Sequence, residues 1–209
     1  MIDRENHDFP FYDRPDLTPF LVHLTKNSED ENGRSAYKNL VNILQTGKIL
    51  GSGTKKGFIK GPNRAACFMD IPFAALKHVL NEENADPENP RYEPYGVVVT
   101  KKNAYRKGCR PVLYLSNAEL ERIEIPEQEL WRVVRLEGVE ERDVNWLHER
   151  EWRAKTDFKL PPNAFAALVS SPAEARKLTR HIQRYTDKFQ VKPASIIPLK
   201  VLCQGLPYA

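Results

Sequence analysis

The sequence lacks the features that mark secreted, membrane and repeat proteins. Its three cysteines, Cys67, Cys109 and Cys203, lie far apart with no second ligand at metal spacing. We therefore expect reduced thiols, and neither a disulfide framework nor a structural zinc. No stretch approaches the roughly 18 uninterrupted apolar residues of a membrane span. The first residues also lack the basic-then-apolar order of a signal peptide, so we expect a cytoplasmic protein without membrane contact.

The composition is that of a globular protein with a mild positive charge. With 209 residues, of which 41% are hydrophobic and 10% aromatic, the chain can bury the core of one domain. Internal repeats and low-complexity tracts are lacking. A net charge of +4 permits binding to nucleic acid or to nucleotide phosphates but does not require it.

The order of apolar and polar segments predicts a single α+β domain. Prolines among charged and aromatic residues indicate an extended arm over residues 1–19, followed by one domain over 20–209 with an acidic, solvated excursion at 81–94. Strands outnumber helices and do not alternate strictly with them, which favours a mixed or antiparallel sheet with flanking helices. Strands are predicted at 20–24, 96–100, 111–115, 164–169 and 196–202, and helices near 35–46 and 172–189.

The segment Asn145-Trp-Leu-His-Glu-Arg-Glu-Trp-Arg153 concentrates charges and tryptophans. If it is a strand, its period of two places Glu149, Glu151 and Arg153 on one face. Carboxylates in line with an arginine suit a site for a hydroxylated, anionic ligand. The alternative is an ion-pair ladder beside two core tryptophans, because buried charges must be paired.

Two groups of short segments resemble known families. The pair His23-Leu-Thr25 and Asn39-Leu-Val-Asn-Ile-Leu-Gln-Thr-Gly47 resembles the opening of the ADP-ribosyltransferase fold in DarT-like toxins, where a strand bearing His-x-Thr leads to a helix. Ala66-Cys-Phe-Met-Asp70, Tyr95-Gly96, Pro111-Val-Leu-Tyr114 and Glu149-Arg-Glu-Trp-Arg153 resemble abortive-infection proteins of the AbiGi type. The resemblance spans roughly residues 20–170, and the terminal arms and the excursion at 81–94 have no counterpart in it.

The resemblance implies an ADP-ribosyltransferase-like fold that uses NAD as substrate, for ADP-ribosyl transfer or NAD hydrolysis, in a phage-defence or toxin–antitoxin setting. Breaking the bond between nicotinamide and ribose passes through an oxocarbenium-like state, which a nearby carboxylate stabilises. Glu151 or Glu149 takes this catalytic role, with Arg153 beside them in the ligand site. The two carboxylates remain alternatives at this point.

The same resemblance assigns residues that hold the nucleotide. His23 and Thr25 on the first strand would contact the adenosine ribose. Tyr95, preferred over Tyr92, would pack on the nicotinamide. Arg64 follows a glycine- and lysine-rich loop and could hold the pyrophosphate, because the planar guanidinium matches phosphate oxygens.

A second hypothesis comes from a different class of protein. The chain could be a catalytically silent, antitoxin-like module that contacts a partner protein or nucleic acid through the pocket or through the basic face of its last long helix. A magnesium-dependent phosphodiester enzyme is less favoured, because the sequence lacks clustered aspartates. His148 lies near Glu151, but no further ligands cluster there, so we predict no metal site.

Overall fold

The computed structural model describes residues 14–28, 33–54, 59–81, 92–137, 145–161 and 165–203. Most of the predicted arm, up to residue 13, lies outside the described residues, as do residues 82–91 of the predicted excursion. The described strands are β1 (Phe20–Leu24), β2 (Lys48–Ile49), β3 (Ala65–Met69), β4 (Gly96–Thr100), β5 (Arg110–Pro111), β6 (Leu113–Leu115), β7 (Val133–Arg135), β8 (Glu151–Lys155), β9 (Phe158–Lys159), β10 (Phe165–Val169) and β11 (Ser195–Pro198). The described helices are α1 (Ala36–Thr46), α2 (Leu76–Val79), α3 (Lys101–Arg106), α4 (Asn117–Arg122), α5 (Pro172–Arg184) and α6 (Leu199–Leu202).

One seven-stranded sheet organises the structure, in the order β11-β10-β4-β1-β3-β8-β5. Its neighbouring strands pair antiparallel except β10 and β11, which are parallel. Two further two-stranded sheets join β2 to β9 and β6 to β7. The predicted α+β class with a mixed, mainly antiparallel sheet and flanking helices is confirmed.

The two longest described helices begin and end at residues with local signals. Ser35 accepts a hydrogen bond from the Lys38 amide at the start of α1, and Gly47 ends the helix in the left-handed region at φ 67°. Ser171 caps α5, with Pro172 at its first position. These predicted boundaries are confirmed, although α5 ends at Arg184 instead of continuing to 189.

Alternating side chains of the sheet build a core on each side. Leu21, Phe68 and Val97 contact α1 and α5, and we call this side the α1/α5 face. Val22 and Met69 lie on the opposite side, under α2 and α6, which we call the α2/α6 face. Because both faces are covered, the central strands are apolar on both sides.

Several predicted elements differ in extent. The strand predicted at 111–115 divides into β5 and β6, which belong to different sheets. The strand predicted at 196–202 ends at Pro198 and continues as α6. The segment directly after β4 forms α3, whose first turn is capped by the Thr100 hydroxyl. Among the described residues, no helix is long and apolar enough to cross a membrane.

Candidate functional site

The predicted row of three charges along one strand is interrupted. Glu149 ends a short 3-10 helix, Leu147–Glu149, and β8 begins only at Glu151. Between them Arg150 adopts a left-handed conformation with φ 46°, which breaks the alternation of a strand. Glu151 and Arg153 share a face of β8 as predicted, but the placement of Glu149 on the same strand is wrong.

Glu151 and Arg153 form a buried, two-point ion pair. Arg153 Nε donates to Glu151 Oε1 at 2.8 Å and Arg153 Nη2 donates to Oε2 at 3.1 Å. The residues are only 8% and 3% exposed. Arg153 Nη1 also donates to the carbonyl oxygens of Trp131, at 2.9 Å, and Val133, at 3.2 Å. The pair therefore joins β8 to the start of β7, and both oxygens of Glu151 are engaged.

Glu149, two residues before Glu151 in the chain, accepts a hydrogen bond from the Tyr92 hydroxyl. Glu149 is 9% exposed. The Tyr114 hydroxyl accepts a hydrogen bond from the Glu151 amide at 3.0 Å. Burial, together with the charge of Glu151, raises the pKa of the neighbouring Cys67 thiol well above its usual value. We call Glu149, Glu151, Tyr92 and Tyr114 the carboxylate cluster.

His23 is held by the backbone of the neighbouring strand. Its Nδ1 donates to the Cys67 carbonyl oxygen at 2.8 Å, and its ring centroid lies 5.9 Å from that of Phe68. Burial lowers the pKa of His23 and so favours the neutral ring. His23 thus lies on the α1/α5 face, on which Phe68 packs.

The register of the sheet places Glu151 on the opposite face. Val22 is paired with Met69, and Met69 is paired with Glu151. Directly paired residues of neighbouring strands point to the same side, so Glu151 lies on the α2/α6 face. Assigning His23 and Glu151 to one NAD molecule requires both side chains to reach one cleft, and this expectation is wrong, because the period of two places them on opposite faces of the sheet.

Two of the predicted ligand-binding residues contact the backbone. Thr25 Oγ1 donates to the Ala36 carbonyl oxygen at 2.9 Å and lies 3.2 Å from that of Tyr95, which ties the end of β1 to α1. Arg64 Nε and Nη2 donate to the Gly51 carbonyl oxygen at 2.8 and 2.6 Å. Both side chains therefore stabilise local structure, and their roles toward NAD stay predictions.

Tyr95 contacts a carboxylate that the sequence analysis did not assign to a site. Its hydroxyl donates to Glu174 Oε1 at 2.7 Å, and burial raises the pKa of Tyr95. Ser171 and Glu174 have the spacing of a capping box. The Ser171 hydroxyl does accept from the Glu174 amide at 3.4 Å, but the Glu174 carboxylate extends to Tyr95 instead. The capping pattern concealed this contact.

Tyr95 and Glu174 line a cavity of about 940 Å³ beside α1 and α5. Lys177 and His181 follow Glu174 on α5 and line the same cavity. The spacing Glu174, Lys177, His181 puts three polar side chains on one helical face, which is the sequence signal that could have indicated the cavity. In the described segments no group of three potential metal ligands is found.

Comparisons with known proteins give weak matches. No protein-family model and no curated protein matches the chain. The structure of Thermus sp. 2.9 DarT in complex with carba-NAD+ is similar over 88% of this chain and 97% of that chain, with 14% identity and a TM-score of 0.48. The same protein in complex with NAD+ covers 87% and 96%, with 14% identity and a TM-score of 0.46.

Proposed function

We propose that this protein uses NAD as a substrate, in ADP-ribosyl transfer or NAD hydrolysis, at the carboxylate cluster. The observation that supports the proposal is the pair of nearly buried carboxylates, Glu149 and Glu151, beside the hydroxyls of Tyr92 and Tyr114. A carboxylate in a water-poor site stabilises the positive charge that develops on a ribose as nicotinamide leaves.

Of the two carboxylates that the sequence left open, Glu149 is the better candidate for the ribose. Both oxygens of Glu151 accept hydrogen bonds from Arg153, which neutralises the charge that a cationic transition state needs. Glu149 accepts a hydrogen bond from the Tyr92 hydroxyl and lies in the turn before β8. Glu151 then acts as a positioning residue at the start of β8, where the chain leaves the turn that carries Glu149.

The face of the sheet on which each tyrosine lies also decides which tyrosine we assign to the nicotinamide. Tyr92 contacts Glu149 and packs against the core of the α2/α6 face, whereas Tyr95 packs against the other core. In this proposal Tyr92 therefore takes the place at the nicotinamide that the resemblance favoured for Tyr95. The setting in phage defence or a toxin–antitoxin pair is proposed from the sequence resemblance.

A nicotinamide-release assay tests the proposal. The full chain is incubated with NAD, alone and with single-stranded oligonucleotide or cell lysate as acceptor. Glu149→Gln keeps an acceptor oxygen for Tyr92 but removes the charge, and we expect it to lower nicotinamide release by roughly a hundredfold with an unchanged melting temperature. Glu121→Gln makes the same change at an exposed position of α4 and should have no effect.

Wild-type protein that releases no nicotinamide under any of these conditions contradicts the proposal, and equal activity of Glu149→Gln and wild type moves the carboxylate role elsewhere.

A second candidate, the silent binding module, is favoured by a different observation. Both carboxylate oxygens of Glu151 already accept hydrogen bonds from Arg153. In addition, α5 exposes a row of cations that could bind a partner protein or nucleic acid: Arg176, Lys177, Arg180 and Arg184. A salt-dependent shift of a labelled oligonucleotide, without NAD consumption, would support that candidate.

A further inference from the structure

The cavity beside α1 and α5 joins an aromatic and acidic floor to a basic mouth. Its volume of about 940 Å³ lies in the range of small-molecule sites. Tyr37 and Tyr95 pack edge to face on its floor, with ring centroids 5.8 Å apart. Two carboxylates line the cavity, Glu93 from the segment before β4 and Glu174 from α5. This cavity is on the α1/α5 face and is separate from the carboxylate cluster.

Three polar atoms at this floor are buried and lack a hydrogen-bond partner in the described structure. They are the hydroxyl of Tyr37, Oε1 of Glu93 and Oε2 of Glu174. Buried polar groups in proteins are almost always satisfied, so an unsatisfied set in one cavity indicates a ligand or solvent that supplies partners. Carboxylate oxygens accept hydrogen bonds, and the matching partner therefore carries hydroxyl or N–H donors. Burial raises the pKa of Glu93 and of Tyr37, in keeping with groups that lack solvent.

The mouth of the cavity carries the opposite charge. Arg34, Lys38 and Lys177 are exposed residues that line it, with His181 beside them. The Lys177 ammonium lies 4.6 Å from the centroid of the Tyr37 ring, over the floor. Three fixed positive charges at the rim favour an anionic group there, and lysine and arginine are the usual partners of phosphate.

We propose that this cavity binds a ribose 5-phosphate unit, free or as part of a nucleotide. The hydroxyls of the ribose donate to Glu174 and Glu93 at the floor, and the phosphate contacts Lys177, Lys38 and Arg34 at the mouth. The three floor atoms are buried, and the Lys177 ammonium lies over the Tyr37 ring. In the proposed complex a phosphate at the mouth draws this ammonium away from the ring, so the ribose reaches the floor as the phosphate binds.

Calorimetric titration of the full chain with ribose 5-phosphate, ribose and inorganic phosphate tests this site. We expect ribose 5-phosphate to bind more tightly than either fragment. Lys177→Gln should weaken binding of ribose 5-phosphate and of inorganic phosphate by roughly tenfold and leave ribose unchanged. Glu174→Gln replaces an acceptor oxygen by a donor and should weaken ribose and ribose 5-phosphate but not inorganic phosphate.

Arg176→Gln is the matched control, because Arg176 is an exposed cation of the same helix that does not line the cavity. Equal weakening by Arg176→Gln and Lys177→Gln would overturn the proposal in favour of unspecific attraction to a basic helix. Failure of the wild type to bind ribose 5-phosphate, or equal affinity for inorganic phosphate, would also overturn it. Glu93→Gln, at the other carboxylate of the floor, provides a second test of the ribose contact should Glu174→Gln lower the melting temperature.

The outcome is independent of the NAD proposal. Glu149→Gln, which alters the carboxylate cluster on the other face, should bind ribose 5-phosphate like the wild type. Loss of binding in that variant would show that the ligand occupies the carboxylate cluster, and would overturn the assignment to this cavity.

Discussion

Arg153 donates two hydrogen bonds to the carboxylate of Glu151 two residues earlier on β8, from Nε to Oε1 at 2.8 Å and from Nη2 to Oε2 at 3.1 Å. Its remaining Nη1 group donates to the carbonyl oxygens of Trp131 and Val133. The guanidinium thus joins the central sheet to the segment that precedes and begins β7. Removal of either charge breaks the ion pair between two buried side chains.

We therefore expect Glu151→Gln to lower the free energy of unfolding by about 3–5 kcal/mol, as for other broken buried ion pairs. The burial of both partners is the reason for this expectation. Urea unfolding measures the effect. Glu137→Gln disrupts an Arg–Glu pair of the same spacing that is 47% and 26% exposed, and should cost about 1 kcal/mol or less. Equal effects of the two variants would contradict the structural role of Arg153.

Tyr92 offers a test of the carboxylate cluster that leaves both carboxylates in place. Tyr92→Phe removes the hydroxyl that donates to Glu149. We expect nicotinamide release to fall by roughly tenfold, as expected for loss of one charge-assisted hydrogen bond that orients the carboxylate. The comparison variant is Tyr105→Phe, because Tyr105 is 55% exposed on α3. A fall in kcat that is absent from Tyr105→Phe supports the role, and identical kinetics in all three proteins contradict it.

His23 should make the stability of the protein depend on pH. Burial lowers the pKa of His23 from its usual 6.5, so the folded state favours the neutral ring. The contribution of the neutral His23 ring to the free energy of unfolding is fully present above the pKa of this histidine in the unfolded chain. It is lost as pH falls from about 6.5 through the lower pKa of His23 in the folded state. We expect the melting temperature to fall between about pH 7.5 and about pH 5.5, and His23→Gln to reduce this dependence.

His78→Gln separates this effect from the titration of other histidines, because His78 is exposed on α2. It should keep the pH dependence of the wild type. If His23→Gln and the wild type lose the same stability over this pH range, His23 is not the group responsible.

Gly96 is required by the close approach of β1 and β4. A Cβ added at Gly96 would lie 2.2 Å from the carbonyl oxygen of His23, a distance that forces the two strands apart. Overpacking of this kind costs about 1–3 kcal/mol, and we expect Gly96→Ala to lower the free energy of unfolding by that amount. Gly53→Ala is the control, since nothing lies within 4 Å of its added Cβ. Similar stability of the two variants would contradict the close contact.

Local patterns in the sequence predicted much of the fold. Alternating or continuous apolar runs located β1, β4 and β10, and helical periodicity located α1 and α5, whose starts are capped by Ser35 and Ser171. These signals act over a few residues, so they are readable without tertiary context. The proximity of Glu151 and Arg153 on one face was predictable for the same reason, because it follows from the period of two.

The tertiary structure decided which of these residues can act together. The register from Val22 through Met69 to Glu151 placed His23 on the other face. The left-handed Arg150 removed Glu149 from the strand.

The sequence by itself thus determined the main strands and helices and the charged residues of one candidate site. Only the tertiary structure decided that Arg153 pairs with the carboxylate of Glu151, and that the carboxylate of Glu174 accepts a hydrogen bond from Tyr95 instead of capping its own helix. The physical reason is that pairing of strands and packing of helices join segments far apart in the chain. A contact of this kind depends on register and on which face each helix covers, neither of which is encoded in the few residues around it.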